Sequence, residues 1–295
     1  MNTKHTFKLN NGVEIPRIGL GVWKVKDGQQ SIDTVAYALG QGYRLIDTAS
    51  FYGNESGVGE AIRNSKIPRD KIFVTTKLWN TDQGYDLAYK AFNKSLSKLG
   101  LDYIDLYLIH WPSNDLDLIV DTWRAFEELY KAKKVRVIGV SNFKPIHLDY
   151  LLKHTKIVPA INQIELHPYN AQHETREYCT EHNIAIESWS PLMQGGKVLE
   201  DSLVVSLAKK YNKSPAQIVL RWHMQNELIV IPKSVTPSRI DENFKIFDFE
   251  LSDEDFERLN LLDRSKRIGP DPDGMAMRLY GSLSRTIISI KKHKR

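Results

Sequence analysis

Cysteine is nearly missing: Cys179 is the single thiol in 295 residues, which excludes an intrachain disulfide framework. Secreted proteins more often carry cysteine in pairs, so a reducing compartment, the cytosol, is expected. Long apolar runs are missing too. Residues 1–9 hold Lys4 and Lys8 but no stretch fit for a signal peptide, and no window approaches the length of a membrane-spanning helix. The dinucleotide fingerprint of open α/β sheets is also absent. GVGEAI at 57–62 lacks the last glycine and does not directly follow a strand-like run, so it reads as the start of a helix. Acid is absent from residues 275–295, where Arg278, Arg285, Lys291, Lys292, Lys294 and Arg295 stand. The net charge of +5 therefore belongs to this tail, and the body carries −1. Nucleic acid is not expected as a partner, and the tail reads as a solvated extension.

What is present is a regular alternation. TFKLNNGVEIP predicts an opening hairpin with Asn11-Gly12 as its two-residue turn. Eight strand-like runs follow: RIGLG, YRLIDTA, IFVTTKLW, YIDLYLIHW, VRVIGVSN, VPAINQIE, IAIESWSP and LIVIPKS. Helical spacing predicts helices over 31–39, 57–64, 84–99, 118–131, 146–152, 172–182 and 215–226. Eight largely apolar strands alternating with helices describe a parallel sheet covered on its outside. At this count and length a closed (β/α)₈ TIM barrel is expected, as one domain over 1–274 with the basic tail 275–295 after it.

In such a barrel chemistry gathers at the carboxyl ends of the strands. Three consecutive runs bring Asp47, Lys77 and His110 to that rim, and Tyr52 follows Asp47 in the next loop. An acid at a strand mouth is either a helix cap or a working group. The company of a lysine, an imidazole and a phenol favours the second. A phenol with a pKa of about 10 donates a proton poorly unless its anion is stabilised, and Lys77 is expected to lower the pKa of Tyr52. A buried lysine needs a carboxylate to stay charged, and Asp47 supplies one. His110 would orient a polar substrate oxygen. Further round the rim, Ser141, Asn142 and Gln163 suit a carboxamide, and Trp189 offers a face for a planar ring. Thr236-Pro237 reads as a helix N-cap and first-turn proline, with Lys233, Ser234 and Arg239 around the helix start as a phosphate site. The same cations, taken alone, also suit an ordinary surface.

GLGVWK, YRLIDTASFYGNE, VTTKLW, LIHWP, GVSNF, NQIELHP, SWSPL and IPKSVTPSRIDENF occur in order. With these motifs, residues 7–272 resemble the aldo-keto reductase superfamily. The resemblance implies a (β/α)₈ barrel, NADPH or NADP⁺ in an extended pose, no metal, and a tetrad of Asp47, Tyr52, Lys77 and His110 with Tyr52 as general acid. It implies that Ser141, Asn142 and Gln163 hold the carboxamide. It also implies that Lys233, Ser234, Arg239, Glu242 and Asn243 lie near the adenosine phosphate, with further cofactor contacts from Gly21, Trp23, Asp47, Trp189, Ser190 and Leu192. Substrate contacts fall to Trp23, Tyr52, Trp79, His110 and Trp111, an apolar wall to which Phe51 adds. Two departures stand out. Trp189 replaces the tyrosine usual at its position, and residues 275–295 extend past RIGPDPD, where the family's pattern ends. Members that reduce carbon–carbon double bonds carry glutamate where His110 stands, so carbonyl reduction is expected, on small aldehydes, α-dicarbonyls such as methylglyoxal, and keto-sugar derivatives. A small carbonyl compound is then the partner, and the protein is expected to be a monomer or weak homo-oligomer. The alternatives are a cofactor-sensing binding protein on the same barrel, and an isomerase or aldolase barrel needing no nicotinamide.

Overall fold

The computed structural model describes residues 5–274, so the basic tail lies outside the described residues. The opening hairpin pairs β1 (Thr6–Lys8) with β2 (Glu14–Pro16) antiparallel. Its turn differs from expectation. The amide of Leu9 donates to the Val13 carbonyl at 2.9 Å, leaving a three-residue loop, Asn10-Asn11-Gly12, with Gly12 at φ +83°. A third loop residue in the left-handed region is the usual companion of a type I turn in a hairpin, and glycine adopts it without penalty.

Eight strands then form one parallel sheet in sequence order: β3 (Leu20–Gly21), β4 (Leu45–Asp47), β5 (Phe73–Leu78), β6 (Ile104–Ile109), β7 (Val135–Ser141), β8 (Ile161–Glu165), β9 (Ala185–Trp189) and β10 (Ile229–Val230). The ends meet. Ile18 bridges Val230 and Gly21 bridges Lys233, both in parallel sense, and the Val230 amide donates to the Arg17 carbonyl at 2.9 Å. The first and last runs are shorter as strands than RIGLG and LIVIPKS suggested. They still close the ring.

Around it lie α1 (Gln29–Gly40), α2 (Glu55–Asn64), α3 (Tyr85–Leu99), α4 (Leu116–Lys131), α5 (Pro145–His154), α6 (His173–Glu181), α7 (Ser202–Tyr211), α8 (Pro215–Gln225), α9 (Pro237–Phe244) and α10 (Asp253–Asn260). Local chemistry sets their starts: Ser214 and Gln217 form a reciprocal capping box ahead of Pro215 in α8. α9 begins at the helix start expected from Thr236-Pro237, and beyond the expected helices α7 and α10 complete the set among the described residues. At the start of α9, Thr236 occupies the cap position but its side chain accepts no hydrogen bond. Ser234 Oγ accepts from the Thr236 amide instead, at 3.0 Å.

The pleat decides which residues face inward, because alternate side chains along a strand share a face. Leu45, Phe73, Leu106, Leu108, Val137, Ile161 and Ile229 cluster inside the barrel with Leu9 and Ile15 of the hairpin, which plugs its lower end. Ile46, Val74, Tyr107, Ile138 and Val230 belong to the larger cluster beneath the helices. The same alternation carries Asp47, Lys77, His110, Gln163 and Glu187 to the inside of the upper rim.

Gly59, in the stretch read as the start of a helix, is a contact residue. A Cβ there would sit 2.0 Å from the carbonyl oxygen of Leu99 at the end of α3. Helix propensity alone would make Gly59→Ala stabilising by about 1 kcal/mol. The collision outweighs it, so Gly59→Ala is expected to lower the unfolding free energy by about 1–3 kcal/mol in urea titrations. A gain in stability would show that α2 and α3 do not approach this closely.

Candidate active site

Lys77 is the centre of the rim. Its side chain is fully buried, and its ammonium donates to Asp47 Oδ1 at 2.6 Å, to the Thr48 carbonyl at 3.0 Å and to the hydroxyl oxygen of Tyr52 at 3.4 Å. Three donors meet three acceptors, which is full satisfaction for an ammonium. Burial alone would strip the proton; Asp47 outweighs it and holds Lys77 above its ordinary range. Burial in turn pushes the Asp47 carboxyl up against the pull of Lys77.

Tyr52 is placed by a 3₁₀ turn, Ser50–Tyr52, that leaves β4 at once. Ser50 donates to the Lys77 carbonyl at 2.9 Å. Asn54 accepts from Thr48 at 2.7 Å and donates to the Val22 and Val25 carbonyls at 2.9 Å. The loop is therefore tied to β5 and to the chain after β3 before Tyr52 meets anything. The expected acidification of Tyr52 is not what results. Burial raises its pKa, Lys77 lowers it and Asp47 raises it again, and the net is upward from 10. The phenol keeps its proton at neutral pH.

His110 follows β6 directly, with its ring edge-on to Tyr52 at 5.6 Å and to Trp79 at 5.2 Å between centroids. Burial, helped by the Lys77 charge, depresses its pKa well below 6.5, so the imidazole is neutral. Its Nδ1 is sealed with no partner among the described residues. Phe51 stacks on Trp79 at 3.8 Å. Trp23 and Phe51 are exposed, and Trp111 lies edge-on to Trp189 at 6.4 Å.

A second group adjoins the first. Ser141 Oγ donates to the Gln163 carbonyl at 2.8 Å. Asn142, at φ +65°, donates through Nδ2 to the His110 carbonyl at 2.9 Å and to Ser141 Oγ at 3.0 Å. Its Oδ1 accepts from the indole N–H of Trp189 at 2.8 Å, a bond that follows from the indole at this position. Gln163 joins the groups: its Nε2 donates to Asp47 Oδ2 at 2.8 Å. Gly21 pairs with Asp47 and bridges to Lys233. Beyond the second group, Ser190 has φ +49° and Leu192 packs on the core beneath the helices.

The remaining residues stand apart at the start of α9. Lys233 and Arg239 are exposed there and form no ion pair among the described residues; Ser234 and Asn243 are buried. Glu242 accepts from Ser214 Oγ at the head of α8.

Sequence reasoning missed Glu187. This fully buried carboxyl of β9 accepts through Oε2 from Gln163 Nε2 at 2.8 Å, while its Oε1 is sealed without a partner among the described residues. The signal was an acid within IAIESW, on the same face as Ala185 and Trp189.

Residues 17–264 match the profile of the aldo/keto reductase family. The chain belongs to the aldo/keto reductase family, and is an oxidoreductase. It is 52% identical over 267 residues to the 9,11-endoperoxide prostaglandin H2 reductase of Trypanosoma cruzi, covering 90% of this chain and 94% of that one. To the glyoxal reductase of Bacillus subtilis it is 52% identical over 270 residues, covering 92% and 97%. The crystal structure of a Gox0644 mutant in complex with NADPH superposes with a TM-score of 0.86 at 43% identity, covering 91% of this chain and 97% of that one. Membership removes the isomerase and aldolase alternatives. No helix among the described residues is long and apolar enough to cross a membrane.

Burial and the Asp47 charge push Glu187 from 4.5 up to about 8. A carboxyl raised on folding adds stability below its unfolded pKa and loses it as pH rises through the folded one, here between about 4.5 and 8. Glu187→Gln escapes this loss. Its stability relative to the parent is expected to grow between pH 5 and pH 8 by on the order of 2 kcal/mol in urea titrations. An unchanging gap would mean that Glu187 titrates normally.

Proposed function

We propose that the protein reduces small aldehydes and α-dicarbonyls such as methylglyoxal, and keto-sugar derivatives, to alcohols with NADPH, Tyr52 being the proton donor. The observation that carries this reading is the Lys77 ammonium placed on both Asp47 and the Tyr52 hydroxyl.

The rim suits the cofactor. Ser141, Asn142 and Gln163 offer a hydroxyl and two amides, beside the half-buried indole of Trp189 on which a planar ring can stack. Lys233 and Arg239 lack carboxylate partners among the described residues at the start of an eight-residue helix, a setting that favours phosphate. A 2′-phosphate uses both cations, which favours NADPH over NADH. When bound, the reduced nicotinamide supplies hydride to the carbonyl carbon.

The chain's own residues manage the oxygen. Because burial keeps Tyr52 protonated, it is a loaded donor, and the negative charge left on its oxygen as the proton departs falls 3.4 Å from an ammonium. That interaction strengthens only as charge develops, which is where a catalytic contact is useful. His110 is neutral, and its sealed Nδ1 is less costly as a lone pair than as an orphaned N–H. The Nε2–H tautomer follows, with a proton to aim at the substrate oxygen. Phe51, Trp79 and Trp111 wall the approach with flat apolar surface, and few polar contacts are left to select among small carbonyl compounds. The alternative, a cofactor-sensing protein on the same barrel, has no support among the described residues.

Tyr52→Phe tests the reading, since it removes one hydroxyl and leaves the ring. Turnover of methylglyoxal, followed as loss of NADPH absorbance, is expected to fall by about 10²–10⁴-fold while the Kd for NADPH changes by less than about 2-fold. Undiminished turnover would take the proton-donor role from Tyr52. Tight NADPH binding by the parent without turnover of any aldehyde in a broad panel would favour the sensor.

A further inference from the structure

Nothing in the reading above uses Glu187, a carboxyl placed where an apolar side chain would fill a barrel at less cost. Among the described residues its side chain has one hydrogen-bond partner, Gln163. The two amide hydrogens of Gln163 thus go to two different carboxyl groups, Asp47 Oδ2 and Glu187 Oε2, each at 2.8 Å. An amide held by a single acceptor can turn about its last torsion, which is broad and roughly two-fold. Two acceptors on the same nitrogen fix its plane. They also fix its sense, because a reversed amide would set its oxygen against Asp47. What Gln163 has left to offer is Oε1, an acceptor with no partner among the described residues.

We propose that Glu187 is a positioning residue for the cofactor's carboxamide: by taking the second N–H of Gln163 it orients that amide so that Oε1 accepts from the carboxamide NH₂. The inference rests on the reading that Gln163 meets the carboxamide. The protonation of Glu187 agrees with it. Raised to about 8, the carboxyl is neutral at pH 7, so a second acceptor is supplied beside Lys77 and Asp47 without a second full negative charge.

The test compares NADP⁺ with its 3-acetylpyridine analogue, in which a methyl ketone replaces the carboxamide and no NH₂ is available. Dissociation constants are measured by quenching of tryptophan fluorescence. In the parent protein the analogue is expected to bind about 5-fold more weakly, the yield of one net hydrogen bond. Glu187→Met should bring that ratio within about 2-fold of unity, as should Gln163→Met, and the double variant should lower it no further, the mark of two residues acting through one contact. Glu187→Gln, whose amide oxygen still accepts, should restore the parent's ratio. Glu187→Ala carries the same expectation as Glu187→Met should the longer side chain fail to fold. A purely structural role would shift both constants together and leave the ratio alone. A ratio kept in Glu187→Met and Glu187→Ala, with Gln163→Met losing it, overturns the proposal and spares the reading of Gln163. A ratio unchanged by Gln163→Met overturns both.

Discussion

The buried contact between Lys77 and Asp47 constrains everything above it. Removing two charges from water costs several kcal/mol per ion, and a buried pair survives only with close geometry and complete hydrogen bonding. Both conditions hold. The ammonium has three acceptors, and Asp47 takes Lys77 on one oxygen and Gln163 on the other. One of those three acceptors is the Tyr52 oxygen, so the phenol is part of what makes the buried lysine tolerable. Neighbouring loops are held accordingly: Ser50 is tied to the Lys77 carbonyl, and Asn54 ties the turn carrying Tyr52 to the chain after β3.

This arrangement revises the picture of an unusually acidic tyrosine. Lysine does attract the phenolate, but removal of water acts on the same group and prevails. The difference matters for chemistry. A phenol with a depressed pKa would spend part of its time ionised and unable to donate. One held above its ordinary value is always loaded, and it needs the ammonium only as the proton leaves. In the proposed role of Tyr52 as proton donor, catalytic benefit comes from a charge–charge interaction absent in the ground state, that is, from differential stabilisation rather than a preformed anion. His110 follows the same logic from the other side: burial beside a cation keeps it neutral, and in its proposed role it donates a hydrogen bond to the substrate oxygen instead of adding a second positive charge.

How far the sequence revealed this depended on which rule was applied to it. The period of alternating strands and helices disclosed the barrel. Residues at strand ends disclosed Asp47, Lys77 and His110. Position at an end is the weaker criterion, however, because Lys77 is followed by Leu78 within β5, and Glu187 is two residues short of the end of β9. Parity is the stronger one. Counting in twos from Leu45, Phe73, Leu106, Ile161 and Ala185, all inward, arrives at Asp47, Lys77, His110, Gln163 and Glu187. Strands β5 and β9 carry polar residues of both parities, as Thr76 and Ser188 show, and no local signal said which parity faced inward until the hairpin and the lower core were in place. The turn of that hairpin, the bond from the Thr236 amide to Ser234 Oγ, and the direction of Glu242 toward Ser214 escaped for a different reason. Each depends on individual hydrogen bonds that propensity does not resolve.

The inner face of the barrel is thus graded, from hydrocarbon where the hairpin closes it to a polar layer at the rim, and the grading explains why the site can hold two carboxyls and an ammonium at once. Below, the apolar layer excludes water and raises every titration cost. Above, the same exclusion makes each remaining interaction stronger than it would be in solvent. A sequence optimised for stability would place a hydrocarbon at 187, since a carboxyl that must stay protonated at neutral pH weakens the fold. Violations of this kind are expected where function rather than stability sets the residue. Among the described residues the Glu187 side chain bonds only the amide that also bonds Asp47, and the proposed orientation of Gln163 accounts for its cost. Such a residue can act on binding without ever touching the cofactor.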